Sequence, residues 1–246
     1  MRIDIWSDIV CPFCYVGKRN LEQALAEFEH RDEVEVVWHS FELDPSATEN
    51  PAVSLPELIA DKYQMPLEQA IATQESLAER AREVGLDFNW RQARYGNTFD
   101  AHRVIHYAAE QGLASAAEEA FKLAYFTQGR SVQDHESILD IASEIGLDTA
   151  EVEAVLKSDR YAADVRADEQ LARQLGINGV PFFLIESKWA VSGAQPAEML
   201  VQALRQVREE THRVEFLNPL AGAAGDAAGN NAAEAGPSCD MNGNCS

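Results

Sequence analysis

Cys11-Pro12-Phe13-Cys14 carries the chemistry of this chain. Two cysteines separated by two residues can close a disulfide with each other. Exchange of that bond with another disulfide needs one of the sulfurs as a thiolate. The alternative use of such a pair is half of a zinc site, which requires two further ligands at metal-like spacing. None is evident: Cys239 and Cys245 stand at the far end of the chain, and His39, His102 and His106 form no pattern with Cys11. Redox chemistry at Cys11 and Cys14 is therefore the expectation, with no metal and no organic cofactor.

The flanking residues fit that chemistry. Ile3-Asp4-Ile5-Trp6 reads as a short apolar strand, and Val16 to Phe28 reads as a helix with Leu21, Leu25 and Phe28 on one face. A strand running through the thiol turn into a helix puts Cys11 at the helix N-terminus. There, unpaired backbone N–H groups and the positive end of the macrodipole favour an anion, hence a thiolate. Pro12 lacks an N–H and suits the first helical turn. Cys14, one turn along, is placed to resolve a mixed disulfide.

Val34 to His39 reads as a second strand, and Asp44-Pro45 and Asn50-Pro51 punctuate a loop after it. From about Leu55 to Ser158 strand signals vanish, and five or six short helices are expected, separated by Met65-Pro66 and by glycines such as Gly85, Gly112, Gly129 and Gly146. Asn97 or Thr98 with Asp100 looks like a helix start, which is the plain reading of that stretch; the other is that His102 faces the thiols. A further helix over 164–175 leads to Gly179-Val180-Pro181, two strands at 182–185 and 189–192, and a last helix opened by Pro196. Beyond about Ala221, glycine and alanine without large apolar groups cannot bury enough surface to fix a fold of their own.

The net charge of −21 makes phosphate backbones and anionic lipid poor partners, so neither nucleic acid nor membrane is expected. No apolar run approaches the ~20 residues of a membrane span. The N-terminal residues lack the basic region and long apolar core of a secretory signal, which points to the cytoplasm.

Cys-Pro-Phe-Cys on a strand-to-helix turn, with Gly179-Val180-Pro181-Phe182-Phe183 downstream, resembles the DsbA family of thioredoxin-fold dithiol oxidoreductases. Ser7 to Tyr15, Asn97 to Arg103 and Ser192 to Pro196 resemble its FrnE-like branch. The resemblance implies an α/β, thioredoxin-like fold with a large all-helical insert between the second strand and the later α-β-β-α half. Residues 1–50 and 160–212 would form the discontinuous thioredoxin-like domain, 51–159 the helical insert, and 213–246 a low-complexity tail. It also implies that the Val180–Pro181 bond is cis and lies beside Cys11; a trans proline that merely starts a strand is the alternative. In the cis arrangement Val180 pairs by its main chain with an extended substrate, and Pro12, Phe13, Val180 and Pro181 form the substrate surface. Phe13 offers no donor or charge, unlike the histidine of strongly oxidising members, so a less acidic Cys11 and a less oxidising disulfide are expected.

The expected activity is thiol–disulfide exchange, disulfide isomerisation included, on protein or small-molecule disulfides, with an unidentified partner that recycles the dithiol. Cys239 and Cys245 form a second pair on a short loop that a flexible chain of this length can carry roughly 30 Å, comparable with the domain. They are expected as an auxiliary redox couple; the alternatives are an inert disulfide, an intermolecular disulfide or an adventitious soft-metal site with too few ligands. A glutathione-dependent isomerase or transferase of the related kappa class is a rival reading, against which the dithiol argues because that class uses a serine in place of Cys11. A redox-sensing or metal-binding adaptor without catalysis is a third.

Overall fold

The computed structural model describes residues 1–48, 52–212 and 239–240. Strand β1 (Arg2–Ser7) is followed by helix α1 (Pro12–Glu27) and strand β2 (Glu35–Ser40), which pairs parallel with β1. Six helices come next: α2 (Leu55–Lys62), α3 (Leu67–Glu83), α4 (Phe99–Glu110), α5 (Ala114–Phe126), α6 (His135–Glu144) and α7 (Thr149–Leu156). Helix α8 (Ala162–Leu175) returns the chain through β3 (Gly179–Val180) to β4 (Phe182–Ile185), β5 (Trp189–Ser192) and helix α9 (Ala197–Thr211). The main sheet has the order β2-β1-β4-β5, with β4 antiparallel to both its neighbours. A mixed α/β sheet interrupted by a helical stretch is the thioredoxin-like, DsbA-like architecture that the sequence resembled.

The central strand β1 alternates between two environments, as a period of two requires. Ile3 and Ile5 join Leu21 and Ala24 of α1, Phe28 at its C-cap, and Leu200, Val201 and Leu204 of α9 in one core. Trp6 belongs to the opposite face, with Cys11, Cys14, Phe41 and Val180. A third and larger core is helical, and the start of α1 reaches into it through Ile9, Val10 and Tyr15. The thiol turn thus lies between the helical core and the core around Trp6.

Helix ends follow local chemistry. The carboxylates of Asp134 and Asp148 accept from the first N–H groups of α6 and α7, and Gly176 stops α8 in the left-handed conformation at φ 73°. Pro12 takes the first position of α1, in keeping with its fit to a first helical turn, whereas Pro196 caps α9 from outside rather than occupying its first turn.

A buried charge cluster ties α8 to the sheet. Both ring nitrogens of His39 on β2 donate to carboxylates, Nδ1 to Asp168 at 2.6 Å and Nε2 to Asp4 at 2.8 Å, while Trp6 stacks on the ring. Burial opposes the charge on His39, but the two carboxylates outweigh it and raise the imidazole pKa. Burial also opposes charge on Asp168, yet bonds from His106 and His39 hold it well below the usual carboxylate range. A raised histidine stabilises the fold in full below its unfolded value of about 6.5, and that contribution fades as pH climbs through the folded value. Depressed Asp168 acts on the acid side, losing its contribution as pH falls through its own folded pKa. His39→Gln is expected to lower the unfolding free energy by about 1.5–3 kcal/mol near pH 6, and by much less at pH 9; denaturant unfolding at the two pH values measures the difference.

Candidate active site

Cys11 is the N-cap of α1, with Pro12 at the first helical position and no acidic residue in the first turn. Its carbonyl accepts from the N–H of Cys14 at 3.1 Å and of Tyr15 at 3.3 Å, so the two thiols share the opening turn of the helix. Neither is bridged, and both are buried. The Cys11 thiol donates to the Val180 carbonyl at 3.6 Å, and the Val180–Pro181 peptide bond is cis. The structure therefore brings Cys11, Cys14, Pro12, Phe13, Val180 and Pro181 together at one place.

The approach of α1 to the proline loop sets a steric condition on Gly17. A Cβ at this position would sit 2.9 Å from Pro181 Cγ and 3.4 Å from Phe183 Cζ. Glycine is needed here for space rather than for its backbone freedom, because Phe183 lies within β4 and Pro181 is fixed between β3 and β4.

The electrostatics correct one expectation. The helix terminus was expected to favour a thiolate on Cys11, but the sulfur is wholly buried, and burial pushes its pKa well above the ordinary thiol value. Cys14 beside it and the charge of Asp8 push the same way, against the backbone N–H at the helix start. The dominant influences are thus local and buried.

Around the turn lie charged groups that the sequence reading had not assigned, together with His102, which it had raised as facing the thiols. Asp8 is buried, and its Oδ2 accepts from the Leu43 N–H at 2.7 Å. His102 of α4 packs against it, with Nε2 3.4 Å from Asp8 Oδ1. Lys122 and Glu118, one turn apart on α5, form an ion pair with both side chains fully buried. The guanidinium of Arg80 on α3 stands 5.1 Å from the Phe13 ring centroid, so the dipeptide that offers no charge of its own is overlooked by a cation. The available signals were the position of Asp8 just ahead of the thiol turn and the one-turn spacing of Glu118 and Lys122.

Beside the turn, Val10 and Pro12 line a cavity of about 390 Å³ whose other walls include Leu55, Ile59, Leu77 and Tyr95. On the other side, β3 pairs antiparallel with strand β6 (Cys239–Asp240), placing Cys239 in register with Val180. Cys245 lies outside the described residues. Among the described residues no group of histidines, cysteines and carboxylates could hold a metal ion, and no helix is long and apolar enough to cross a membrane.

Gly17→Ala is expected to displace the Pro181 loop from Cys11. Overpacking of this kind costs about 1–3 kcal/mol. Disulfide exchange should fall more steeply than denaturant stability alone predicts, and an unchanged exchange rate would show that the loop tolerates the shift.

The DSBA-like thioredoxin domain family matches residues 2–205. The uncharacterized protein YwbO of Bacillus subtilis is 28% identical over 206 residues, spanning 83% of this chain and 96% of that one. The crystal structure of a probable DsbA oxidoreductase, SCO1869 from Streptomyces coelicolor, is similar at TM-score 0.82 and 46% identity, covering 89% of this chain and 94% of its own. The cytosolic disulfide reductase DsbM from Pseudomonas aeruginosa, solved with GSH, shares the fold at TM-score 0.60 and 18% identity over 85% of this chain and 100% of its own. With its dithiol at the start of α1 and a family match running from β1 into α9, the chain belongs to the DsbA-like thioredoxin family.

Proposed function

We propose that the protein exchanges disulfides of protein or small-molecule substrates through Cys11 and Cys14, without a cofactor or metal. Membership of the family supports thiol–disulfide oxidoreductase chemistry, and the observation that carries the reading is the contact of Cys11 with the Val180 carbonyl beside a cis proline. In the reducing direction, Cys11 loses its proton and attacks one sulfur of the substrate disulfide. The other sulfur leaves as a thiolate, which takes up a proton. Cys14 then loses its proton and attacks the Cys11 sulfur, closing the enzyme disulfide and releasing the second substrate thiolate. Two electrons pass from the dithiol to the substrate, and running backwards the same steps oxidise a substrate dithiol. A trapped mixed disulfide attacked by a second substrate thiol would amount to isomerisation.

The substrate's main chain would lie along β3 at Val180, with Pro12, Phe13 and Pro181 around the sulfur and an apolar side chain in the cavity behind Val10. A low-molecular-weight thiol such as glutathione is the simplest recycling partner, in keeping with the glutathione bound to DsbM. A cytoplasmic setting, where such a thiol is abundant, is part of the same proposal. The serine-based kappa-class reading is disfavoured by the dithiol itself.

The tail enters through β6. Pairing of Cys239 with Val180 lays the chain's own C-terminal segment along the edge a substrate would use. We therefore propose Cys239 and Cys245 as an auxiliary redox couple that exchanges with Cys11 and Cys14 and yields the edge to substrate.

Cys11→Ser is expected to abolish reduction of insulin disulfides, and Cys14→Ser to accumulate a covalent enzyme–substrate adduct visible on non-reducing gels. Retention of exchange by Cys11→Ser would refute the assignment. Truncation after His212 should speed alkylation of Cys11 several-fold. Replacing Cys239 and Cys245 together by serine should leave that alkylation rate as it was but shift the equilibrium of the enzyme with glutathione. No change in either measurement would remove the tail from the mechanism.

A further inference from the structure

We propose that His102 is a positioning residue whose positive charge balances the Asp8 carboxylate and so permits Cys11 to ionise. This rests on the reading of Cys11 as the reactive thiol and adds a source for its acidity, one contributed by the helical stretch and not by the thioredoxin-like sheet.

Asp8 and Cys11 are joined by a tight turn in which the Cys11 N–H donates to the Asp8 carbonyl at 3.4 Å. Both Asp8 and His102 are 1% exposed. An uncompensated carboxylate in such a place opposes a second anion nearby, because the low local dielectric leaves their repulsion unscreened. The Asp8 Oδ1 and both His102 ring nitrogens have no hydrogen-bond partner among the described residues, while Oδ1 and Nε2 are 3.4 Å apart. As neutral groups, two polar side chains meeting in this way would bear the cost of burial with little return. As opposite charges they attract strongly at this distance.

Two buried cations feel the Asp8 charge, His102 in direct contact with it and Lys122, which is already paired with Glu118. Glu42, beyond β2, is bonded by Arg166 of α8 and by Asn97. Glu118 of α5 is matched by Lys122. Tyr95 and Tyr125 face the Asp8 charge from the helical side, and that charge and burial hold both phenols protonated. Burial lowers the His102 pKa, but Asp8 first, then Glu118 and Glu42, outweigh it and raise the imidazole above its ordinary value. The Asp8 charge is in turn among the influences that raise Cys11. Removing the imidazolium therefore leaves the Asp8 carboxylate with the Leu43 N–H as its hydrogen-bond partner and its charge opposing a thiolate at Cys11.

The test is the pH dependence of Cys11 alkylation by iodoacetamide. It is measured on the full chain, with Cys14, Cys239 and Cys245 replaced by serine so that one thiol reports. His102→Gln is expected to move the midpoint up by about one unit, a roughly tenfold loss of rate on the acid side of the curve. Asp8→Asn should move it down, and the Asp8→Asn/His102→Gln double variant should return it to the parent value or lower. A packing role for His102 predicts no such rescue. An unchanged midpoint in His102→Gln, or a double variant no more reactive than His102→Gln, overturns the proposal. If His102→Gln does not fold, Asp8→Asn alone decides: a lowered midpoint supports charge balance, and an unmoved or raised one refutes it. Because alkylation reads thiol acidity and not turnover, failure here is distinct from failure of the exchange assignment, which the Cys11→Ser assay reports.

Discussion

The Cys11 sulfur lies where two segments 169 residues apart in sequence are forced together, the start of α1 and the end of β3. Neither segment can hold the other alone. The contact exists because β1, which aims α1, pairs antiparallel with β4, which begins just after Pro181. The register Trp6↔Phe182 lays the end of the central strand beside the residue that follows the proline. Gly17 then allows the helix to settle against that loop without a side chain in between. A slip of one residue between β1 and β4 would turn every side chain to the other face and carry the proline away from the thiol.

Much of this was legible from local signals. Pro12 beside a strand, the glycine-punctuated helices from Leu55 to Ser158, and the apolar runs at Phe182 and Trp189 all act on their nearest neighbours, so a sequence displays them directly. The placement of Val180 against Cys11 came from resemblance, since no local propensity reveals a contact over that separation. What escaped were pairings that only tertiary structure makes: Asp8 with His102, His39 with both Asp4 and Asp168, and the cavity wall that α2 and α3 build beside Pro12. Cys239 was legible as chemistry but not as a strand, because two residues carry no period. The acidity of Cys11 was misjudged for a related reason. A helix terminus can be read from the chain, whereas the depth at which a sulfur is buried cannot.

Charge placement separates structure from chemistry here. The His39 cluster has its hydrogen bonds made on both ring nitrogens, which is the arrangement expected of a strut between α8 and the sheet. The Asp8–His102 pair is buried more deeply, yet it lacks that hydrogen-bond geometry. Fully satisfied networks fix a fold, whereas in the Asp8–His102 pair the one hydrogen bond made is from the Leu43 N–H to Asp8 Oδ2, so the two side chains face each other through proximity and not through a hydrogen-bond network.

Burial of both thiols also bears on how the site opens. Exchange requires a sulfur in line with an incoming disulfide, so the closed arrangement must yield somewhere. The helical core and the two sheet cores are poor candidates, since each joins elements distant in sequence through many buried side chains. The β3–β6 ladder is different, being two residue pairs long. At about 1 kcal/mol net for a backbone hydrogen bond, such a ladder costs little to break compared with the stability of a domain. Under the proposed function, a substrate strand replacing β6 would form the same kind of bonds with Val180, so the exchange of one strand for another would be nearly balanced in backbone terms. What tips that balance is the side chains next to the substrate cysteine, and the apolar cavity behind Val10 is where their contribution would be gained.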